Sequence, residues 1–229
     1  DALKALRALD EIPIISSPNQ PIYSAWSTFD SSGVGTFHFH GPANSFFKGD
    51  SVVAKLPIVQ YPHPALAAEA QIVTEFNDEL RRLAADMAET MYAAPGVGLA
   101  ANQVNVLKRL VVIDVTDDKS NLIVLVNPEV VSTSGELVDH EEGCLSLKGL
   151  YEHLKRPSHV KVRAQDLNGQ SFEIEADGLL ATCLQHEIDH LHGMVFIDHL
   201  SRLKKSRACT KLAKLRREEK REKEKSSDK

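Results

Sequence analysis

Cysteine is scarce in this chain of 229 residues, which has only Cys144, Cys183 and Cys209. An odd, sparse set argues against a disulfide framework and for a reducing compartment, where a lone thiol serves as a metal ligand, a nucleophile or core filler. No apolar run approaches the roughly 20 residues that span a bilayer. A secretory or transit leader pattern is lacking as well. We therefore expect a cytoplasmic protein without membrane contact, or an organellar one if a targeting segment has been removed.

The charge of the chain is divided unevenly between its body and its C-terminal end. Residues 202–229 contain 13 Lys/Arg and 5 Asp/Glu, a net charge of +8, whereas the preceding residues carry −13. An acidic body with a basic end is typical of a protein that touches a polyanion through that end. The mixed signs of "EEKREKEK" suit a solvated helix equally well, so the composition alone favours neither interpretation.

The chain divides into three segments of different character. Residues 1–51 have scattered aromatics, many Ser, Gly and Pro, and no sustained period, so we predict a poorly ordered N-terminal extension. Residues 52–201 have regular patterns and form the predicted catalytic domain, which we expect to be a metallohydrolase. Residues 202–229 form a basic C-terminal helix or tail. The 42% hydrophobic content is ordinary for a globular domain.

Hydrophobic periodicity predicts an α+β fold. "EFNDELRRLAADMAETMYAA" has helical spacing, and the runs "RLVVIDV", "NLIVLVNPEVV", "HVKVRAQD" and "QSFEIEAD" read as strands, the last two joined by a hairpin turn. "DGLLATCLQHEIDHLHG" is apolar over most of its circumference, with Asp177 as its cap and Gly193 as its stop. We expect antiparallel or mixed sheets packed around this central helix, with one helix before it and one after it.

The glycines of "APGVGLAANQ", residues 94–103, have the spacing of a dinucleotide-binding loop. Such a loop needs a strand before its glycines and a long helix after them. Here a predicted helix precedes the glycines, and about six residues separate Gln103 from the next strand. The nucleotide hypothesis therefore fails on context.

The motif "HEIDH" is the main candidate for chemistry. Residues four apart share one face of a helix, so His186 and His190 can reach one metal ion. Glu187 lies beside the same position and suits a general base. Two histidines and two acids in the most apolar helix of the chain need something to satisfy them, which favours a metal site over a chance match.

The third ligand does not follow the protease patterns. After Gly193 a metzincin would have a histidine where this chain has Phe196. A thermolysin-like site would need a glutamate on a following helix, and the nearest ones, Glu218 and Glu219, lie in the charged tail. Cys144, in the loop "EEGCLS", is favoured instead. Cys183 competes, but it is seven residues from His190, roughly 10 Å along a helix. A thiolate and two imidazoles leave iron, zinc and other borderline ions open.

"GVGLAANQ", "EGCLS" and "HEIDH", in this order, resemble the peptide deformylases, in the bacterial-type form with a C-terminal helix. The resemblance runs from about Val53 to Leu215. It implies that Cys144, His186 and His190 hold one divalent ion, usually Fe²⁺, with Zn²⁺, Ni²⁺ and Co²⁺ as alternatives. It further implies that Glu187 moves the proton, and that the Gln103 amide and the Leu145 N–H stabilise the formyl oxygen.

The resemblance also implies a pocket for the formyl-methionine side chain, lined by Gly96, Val97, Gly98, Glu142, Leu179, Thr182 and Cys183. Arg156 is expected to pair with Glu142. Lys148 and Tyr151 replace a proline and an arginine that many relatives have. The implied substrates are nascent formyl-methionyl polypeptides, and the basic tail suggests residence on the ribosome. A metalloprotease for internal peptide bonds, or an RNA-binding module with a structural metal, are the alternatives.

Overall fold

The computed structural model describes residues 25–29, 35–39 and 54–227. The first two ranges are strands β1 (Ala25–Phe29) and β2 (Gly35–Phe39), which pair with each other in an antiparallel hairpin. Apart from these two strands, the predicted extension over residues 1–51 lies outside the described residues, so its predicted lack of order stays a prediction.

Two further antiparallel sheets organise the described residues from 54 onward. A five-stranded sheet has the order β3-β4-β5-β8-β9, and β6 pairs with β7 in a separate sheet. The strand bounds are β3 (Gly98–Ala100), β4 (Leu110–Ile113), β5 (Ile123–Thr133), β6 (Leu137–Gly143), β7 (Tyr151–Pro157), β8 (His159–Gln165) and β9 (Ser171–Asp177). Branched apolar residues fill the central strands because these strands are covered by helices.

Three helices complete the fold: α1 (Asp78–Ala93), α2 (Gly178–Leu191) and α3 (Arg202–Ser227). The predicted α+β class, with antiparallel sheets, a helix on the N-terminal side and a C-terminal helix, is confirmed. Helix α1 begins later than the pattern of Phe76 indicated, since the Asn77 side chain accepts a hydrogen bond from the Leu80 N–H at 3.1 Å and caps the helix there. None of the helices in the described ranges is long and apolar enough to cross a bilayer.

Helix α2 is buried against the five-stranded sheet. Its residues Ala181, Leu184, Ile188 and Leu191 belong to one apolar cluster with residues of β4, β5 and β8. Burial on this scale holds the helix rigidly, because each buried Leu or Ile side chain contributes roughly 1.5–3 kcal/mol. The polar residues on the remaining face of α2 are therefore fixed in place.

Two loops approach that face. The segment after β3 forms a short 3-10 helix, Ala101–Val104, all four residues of which are buried. The segment after β6 forms a second one, Leu145–Leu147. Leu147 and Leu150 of this second loop share an apolar cluster with Ala208 and Leu212 of α3, so the C-terminal helix supports the loop that follows β6.

Candidate metal centre

One thiol and two imidazoles meet between α2 and the loop after β6. The ligating atoms of Cys144, His186 and His190 all lie within 4.8 Å of one another. Cys144 Sγ is 3.2 Å from Nε2 of His190. His186 and His190 share a face because they are one helical turn apart. Cys144 directly follows Gly143, the last residue of β6, where the chain turns into the 3-10 helix.

A buried charged network orients His186. Its Nδ1 donates to Glu142 Oε2 at 2.9 Å. Arg156 donates two hydrogen bonds to the same carboxylate, from Nε at 2.5 Å and from Nη2 at 3.0 Å. Arg156 Nη1 also donates to Asp189 Oδ2 at 2.8 Å, and Asp189 accepts from His199 Nε2 at 2.7 Å. Burial alone would raise the pKa of Glu142, but hydrogen bonds from His186 and Arg156 outweigh it and lower that pKa. A permanent carboxylate therefore holds the His186 ring.

Glu187 is buried on the same helix as His186 and His190. Its Oε2 is buried and has no hydrogen-bond partner among the described residues. Burial raises the pKa of its carboxyl to about 7. Gly98 of β3 lies directly against it, since a Cβ on Gly98 would be 2.5 Å from Glu187 Oε1 and 2.7 Å from Cys183 Sγ. A carboxyl with a pKa near neutrality is suited to accept and return protons.

The two predicted donors, Gln103 and Leu145, lie near Cys144, one in the 3-10 helix after β3 and the other next to Cys144 in the chain. Gln103 is anchored because its Oε1 accepts from the Ala100 N–H at 2.8 Å. Its Nε2 points to Cys144 Sγ at 3.5 Å and to Ser146 Oγ at 3.2 Å. Leu145 is the first residue of the 3-10 helix, where backbone N–H groups have no partner within the helix.

Cys183, the competing thiol, is buried in the wall next to the site. Its Sγ donates to the Val97 carbonyl at 3.7 Å. Burial, reinforced by the negative charge of Glu187, raises the pKa of the thiol well above its usual range. A thiol that stays protonated is a poor ligand. The ligand cluster found among the described residues contains Cys144 and not Cys183.

The other predicted pocket residues lie on β3, on the turn before it and on the first turns of α2. Val97 and Leu179 are 43% and 54% exposed, which suits a rim. Thr182 is buried and donates its hydroxyl to the Gly178 carbonyl at 3.2 Å. Gly96 lies against the Leu145 side chain, where an added Cβ would be 2.7 Å from Leu145 Cδ1. Glu142 differs from these residues, because His186 and Arg156 bind its carboxylate.

Sequence reasoning missed three polar residues near the centre. Asn102 is fully buried, and its Nδ2 donates to the main-chain carbonyl of His190. Asp189 and His199 extend the network behind His186. Asn102 and Asp189 lie inside "AANQ" and "HEIDH", but polarity within a motif does not tell which neighbour a side chain bonds.

A buried Cys/His/His cluster beside a glutamate on the same helix is the arrangement of a metallohydrolase of the HExxH class. Comparison with known proteins narrows this class to one family. The sequence model of "Polypeptide deformylase" matches residues 55–206. The peptide deformylase of Cellvibrio japonicus is 52% identical over 162 residues, which cover 71% of this chain and 96% of that protein. The chain therefore belongs to the polypeptide deformylase family.

Solved structures agree with this assignment. A peptide deformylase from Legionella pneumophila superposes with a TM-score of 0.70 at 48% identity, covering 73% of this chain and 99% of that one. The plant peptide deformylase PDF1B gives a TM-score of 0.68 at 34% identity, covering 76% and 96%. The chain is thus an amide hydrolase that acts on newly synthesised formylated polypeptides. The family match supports this function and not the alternative of a protease.

Proposed function

We propose that the chain carries out deformylation at one divalent metal ion held by Cys144, His186 and His190. The observation that carries this proposal is the meeting of three ligating atoms within 4.8 Å of one another beside Glu187. One sulfur and two imidazole nitrogens suit Fe²⁺, Zn²⁺, Ni²⁺ or Co²⁺, since these borderline ions accept both donor types. Fe²⁺ is the first choice by resemblance to the family. Three protein ligands leave one position open for substrate or water.

Glu187 is proposed as the residue that moves the proton. A bound divalent ion supplies Lewis acidity that acidifies water and polarises a carbonyl. The Glu187 carboxylate takes the proton from the attacking water and passes it to the amine that leaves as formate is released. Its buried Oε2, which has no partner in the described part of the chain, is the acceptor for this proton.

Gln103 and Leu145 are proposed to stabilise the formyl oxygen as negative charge develops on it. The Gln103 amide is preorganised, because its oxygen is occupied by the Ala100 N–H and its Nε2 therefore faces Cys144. The backbone N–H of Leu145 is the second donor. Donors held in place before the reaction lower the barrier most, and removing one typically costs about 10²–10³ in kcat.

The free edge of β3 is proposed to bind the peptide main chain. β3 is the edge strand of its sheet, and no described strand pairs with its other side. Because Asp114 N donates to the Val97 carbonyl and Gly98 pairs with Ile113, the polar main-chain groups of Gly98 face that free edge. An extended substrate adds there as a further strand. The methionine side chain then lies among the pocket residues Gly96, Val97, Gly98, Glu142, Leu179, Thr182 and Cys183.

Two variants test the centre. Glu187→Ala should keep the metal and abolish turnover, because it removes the proton acceptor and leaves the three ligands. Cys144→Ala should lose the metal. Formate release from formyl-Met-Ala-Ser and metal content per chain are measured together, with an internal peptide substrate as the protease control. A Cys144→Ala protein with full metal content and activity would mean that another thiol, Cys183, is the ligand.

Association of α3 with the ribosome is part of the same proposal. The net positive charge of the C-terminal segment lies in residues 202–217, with eight Lys/Arg and no Asp/Glu, while residues 218–229 are balanced at five and five. Arg207, Lys211 and Lys214 are exposed along one side of α3. Such a row of cations suits the phosphates of RNA. A cytoplasmic location stays a prediction that goes with this role.

Charge substitutions test whether the cations of α3 bind the ribosome or are only exposed to solvent. Replacing Arg207, Lys211 and Lys214 by glutamine should weaken co-sedimentation with ribosomes, and the difference should shrink as salt rises. Replacing Lys220 and Lys225 by glutamine is the control in the balanced segment. If both sets of substitutions leave ribosome binding unchanged, α3 is not the attachment site.

A further inference from the structure

The two imidazoles of the cluster are held in different ways. His186 has its Nδ1 bound to the Glu142 carboxylate at 2.9 Å. His190 presents Nε2 to Cys144 Sγ at 3.2 Å, so its Nδ1 is the nitrogen that carries the proton when Nε2 binds a metal. This Nδ1 is buried, in a residue that is 1% exposed, and it has no partner among the described residues. A ligating histidine nearly always donates its second N–H to something.

Asn102, which contacts His190, has a buried acceptor atom without a hydrogen-bond partner. The residue is 0% exposed, and its Nδ2 donates to the main-chain carbonyl of His190, which brings the amide against that residue. Its Oδ1 is buried and has no partner in the described ranges. Two residues joined by a hydrogen bond from Asn102 Nδ2 to the His190 carbonyl thus contribute one unsatisfied buried donor and one unsatisfied buried acceptor, although nearly all buried polar groups have a partner.

We infer that Asn102 is the positioning residue of His190, with its Oδ1 accepting the His190 Nδ1–H through one buried water, since the structure has no direct hydrogen bond between these two atoms. Asn102 then does for the second imidazole what Glu142 does for the first. The amide also fixes the main chain at His190 through Nδ2, so one side chain holds both the backbone and the ring of a metal ligand. This inference rests on the metal centre of the proposed function.

A neutral acceptor at this position has a chemical reason. Glu142 is anionic, but Arg156 compensates its charge. Within the described residues, no such cation contacts Asn102. An amide oxygen orients His190 without adding negative charge to a centre that already contains a thiolate. A divalent ion held by Cys144, His186 and His190 would then keep a net positive charge and with it the Lewis acidity that the reaction needs.

Two substitutions separate the acceptor role from a purely structural one. Asn102→Leu removes both the oxygen and the N–H. Asn102→Asp keeps oxygen acceptors for His190 Nδ1–H but loses the N–H that binds the His190 carbonyl. Asn127→Leu is the matched control, because Asn127 is another internal asparagine that binds main chain, accepting from Val73 N at 2.8 Å and donating to Val73 O at 2.9 Å.

The measurements are the Zn²⁺ affinity of each protein, by competition with a chelator, and the imidazole N–H resonances of the Zn²⁺-loaded protein in a ¹H–¹⁵N spectrum. Loss of such a supporting hydrogen bond typically weakens metal binding about 10–100-fold. We expect this loss in Asn102→Leu, together with loss of the slowly exchanging His190 Nδ1–H signal. Asn102→Asp should retain the signal and most of the affinity. Asn127→Leu should lower stability and leave the affinity unchanged.

Each contrary result has a separate meaning. Wild-type affinity in Asn102→Leu overturns the inference. An Asn102→Asp protein as weak as Asn102→Leu also overturns it, because Asn102 would then act only through the His190 carbonyl. If Asn102→Leu does not fold, absence of a protected His190 Nδ1–H in the Zn²⁺-loaded wild type overturns it. Failure of the wild type to bind Zn²⁺ refutes the metal centre itself, and hence the proposed function.

Discussion

Replacing Gly98 by alanine adds a single methyl group at the point where β3 touches α2. The new Cβ would lie 2.5 Å from Glu187 Oε1 and 2.7 Å from Cys183 Sγ, two side chains on successive turns of one buried helix. Non-bonded heavy atoms prefer separations of about 3.5 Å, so one partner has to move by about 1 Å. Glu187 Oε1 is at the end of a flexible side chain, whereas Cys183 Sγ is attached directly to its Cβ on the buried helix and has less freedom to move. The Glu187 carboxylate, which we propose moves the proton, is therefore the group that is displaced.

A misplacement of about 1 Å in an active site costs about 10²-fold in rate, which corresponds to about 2.7 kcal/mol of barrier. We expect Gly98→Ala to reduce kcat for formate release by that factor while metal content stays at the wild-type level, because none of the three ligands is touched. Gly135→Ala is the control, since nothing lies within 4 Å of its added Cβ. Full activity of Gly98→Ala would refute the reasoning, and so would an equal loss in Gly135→Ala.

Two further predictions concern stability. Arg156→Met removes the arginine that binds the buried carboxylate of Glu142 and the partly buried carboxylate of Asp189, and should lower the free energy of unfolding by about 3–5 kcal/mol in urea titrations. Arg163→Met, at an exposed pair, should change the free energy of unfolding by less than about 1 kcal/mol. Similar losses in both variants would contradict the argument. Burial raises the pKa of Glu187 from 4.5 to about 7 in the metal-free protein, so its contribution to stability is complete below the unfolded pKa and is lost as the pH rises through 7. Between about pH 5 and pH 8 the metal-free wild type should therefore lose up to about 3 kcal/mol relative to Glu187→Gln, and parallel pH profiles would exclude a raised pKa.

The sequence predicts the helices and the central strands well, because their apolar residues repeat with the period of the element. Helix α2 fits the predicted span between Asp177 and Gly193, and the hairpin turn before Gly169 is present, with Gly169 at φ +81°. Strands β6 and β7 were missed. Their sequences, "LVDHEEG" and "YEHLKRP", are dominated by polar and charged residues, since most of their residues are exposed or only partly buried. Such strands lack a regular alternation of apolar residues. Their strand conformation depends on the pairing of β6 with β7, which the sequence pattern does not reveal.

The residues of the candidate site also differ in how well the sequence predicts them. His186, Glu187 and His190 follow from spacing on one helix, which is local information. The preference for Cys144 over Cys183 needed a loop argument and a family resemblance, because 41 residues of chain lie between Cys144 and His186. The role of Asn102 depends on where the turn after β3 meets the end of α2. Such a contact between distant segments is set by tertiary packing, which a single sequence does not display.

The length of the C-terminal helix has a consequence for the proposed attachment to the ribosome. At 26 residues, α3 is about 39 Å long, and its buried residues Ala208 and Leu212 lie in its first half, under the loop that carries Cys144. The exposed cations Arg207, Lys211 and Lys214 lie on the same helix. An attachment made through those cations thus fixes both the distance and the direction from the anchoring point to the catalytic cleft, as a flexible tether of the same length would not.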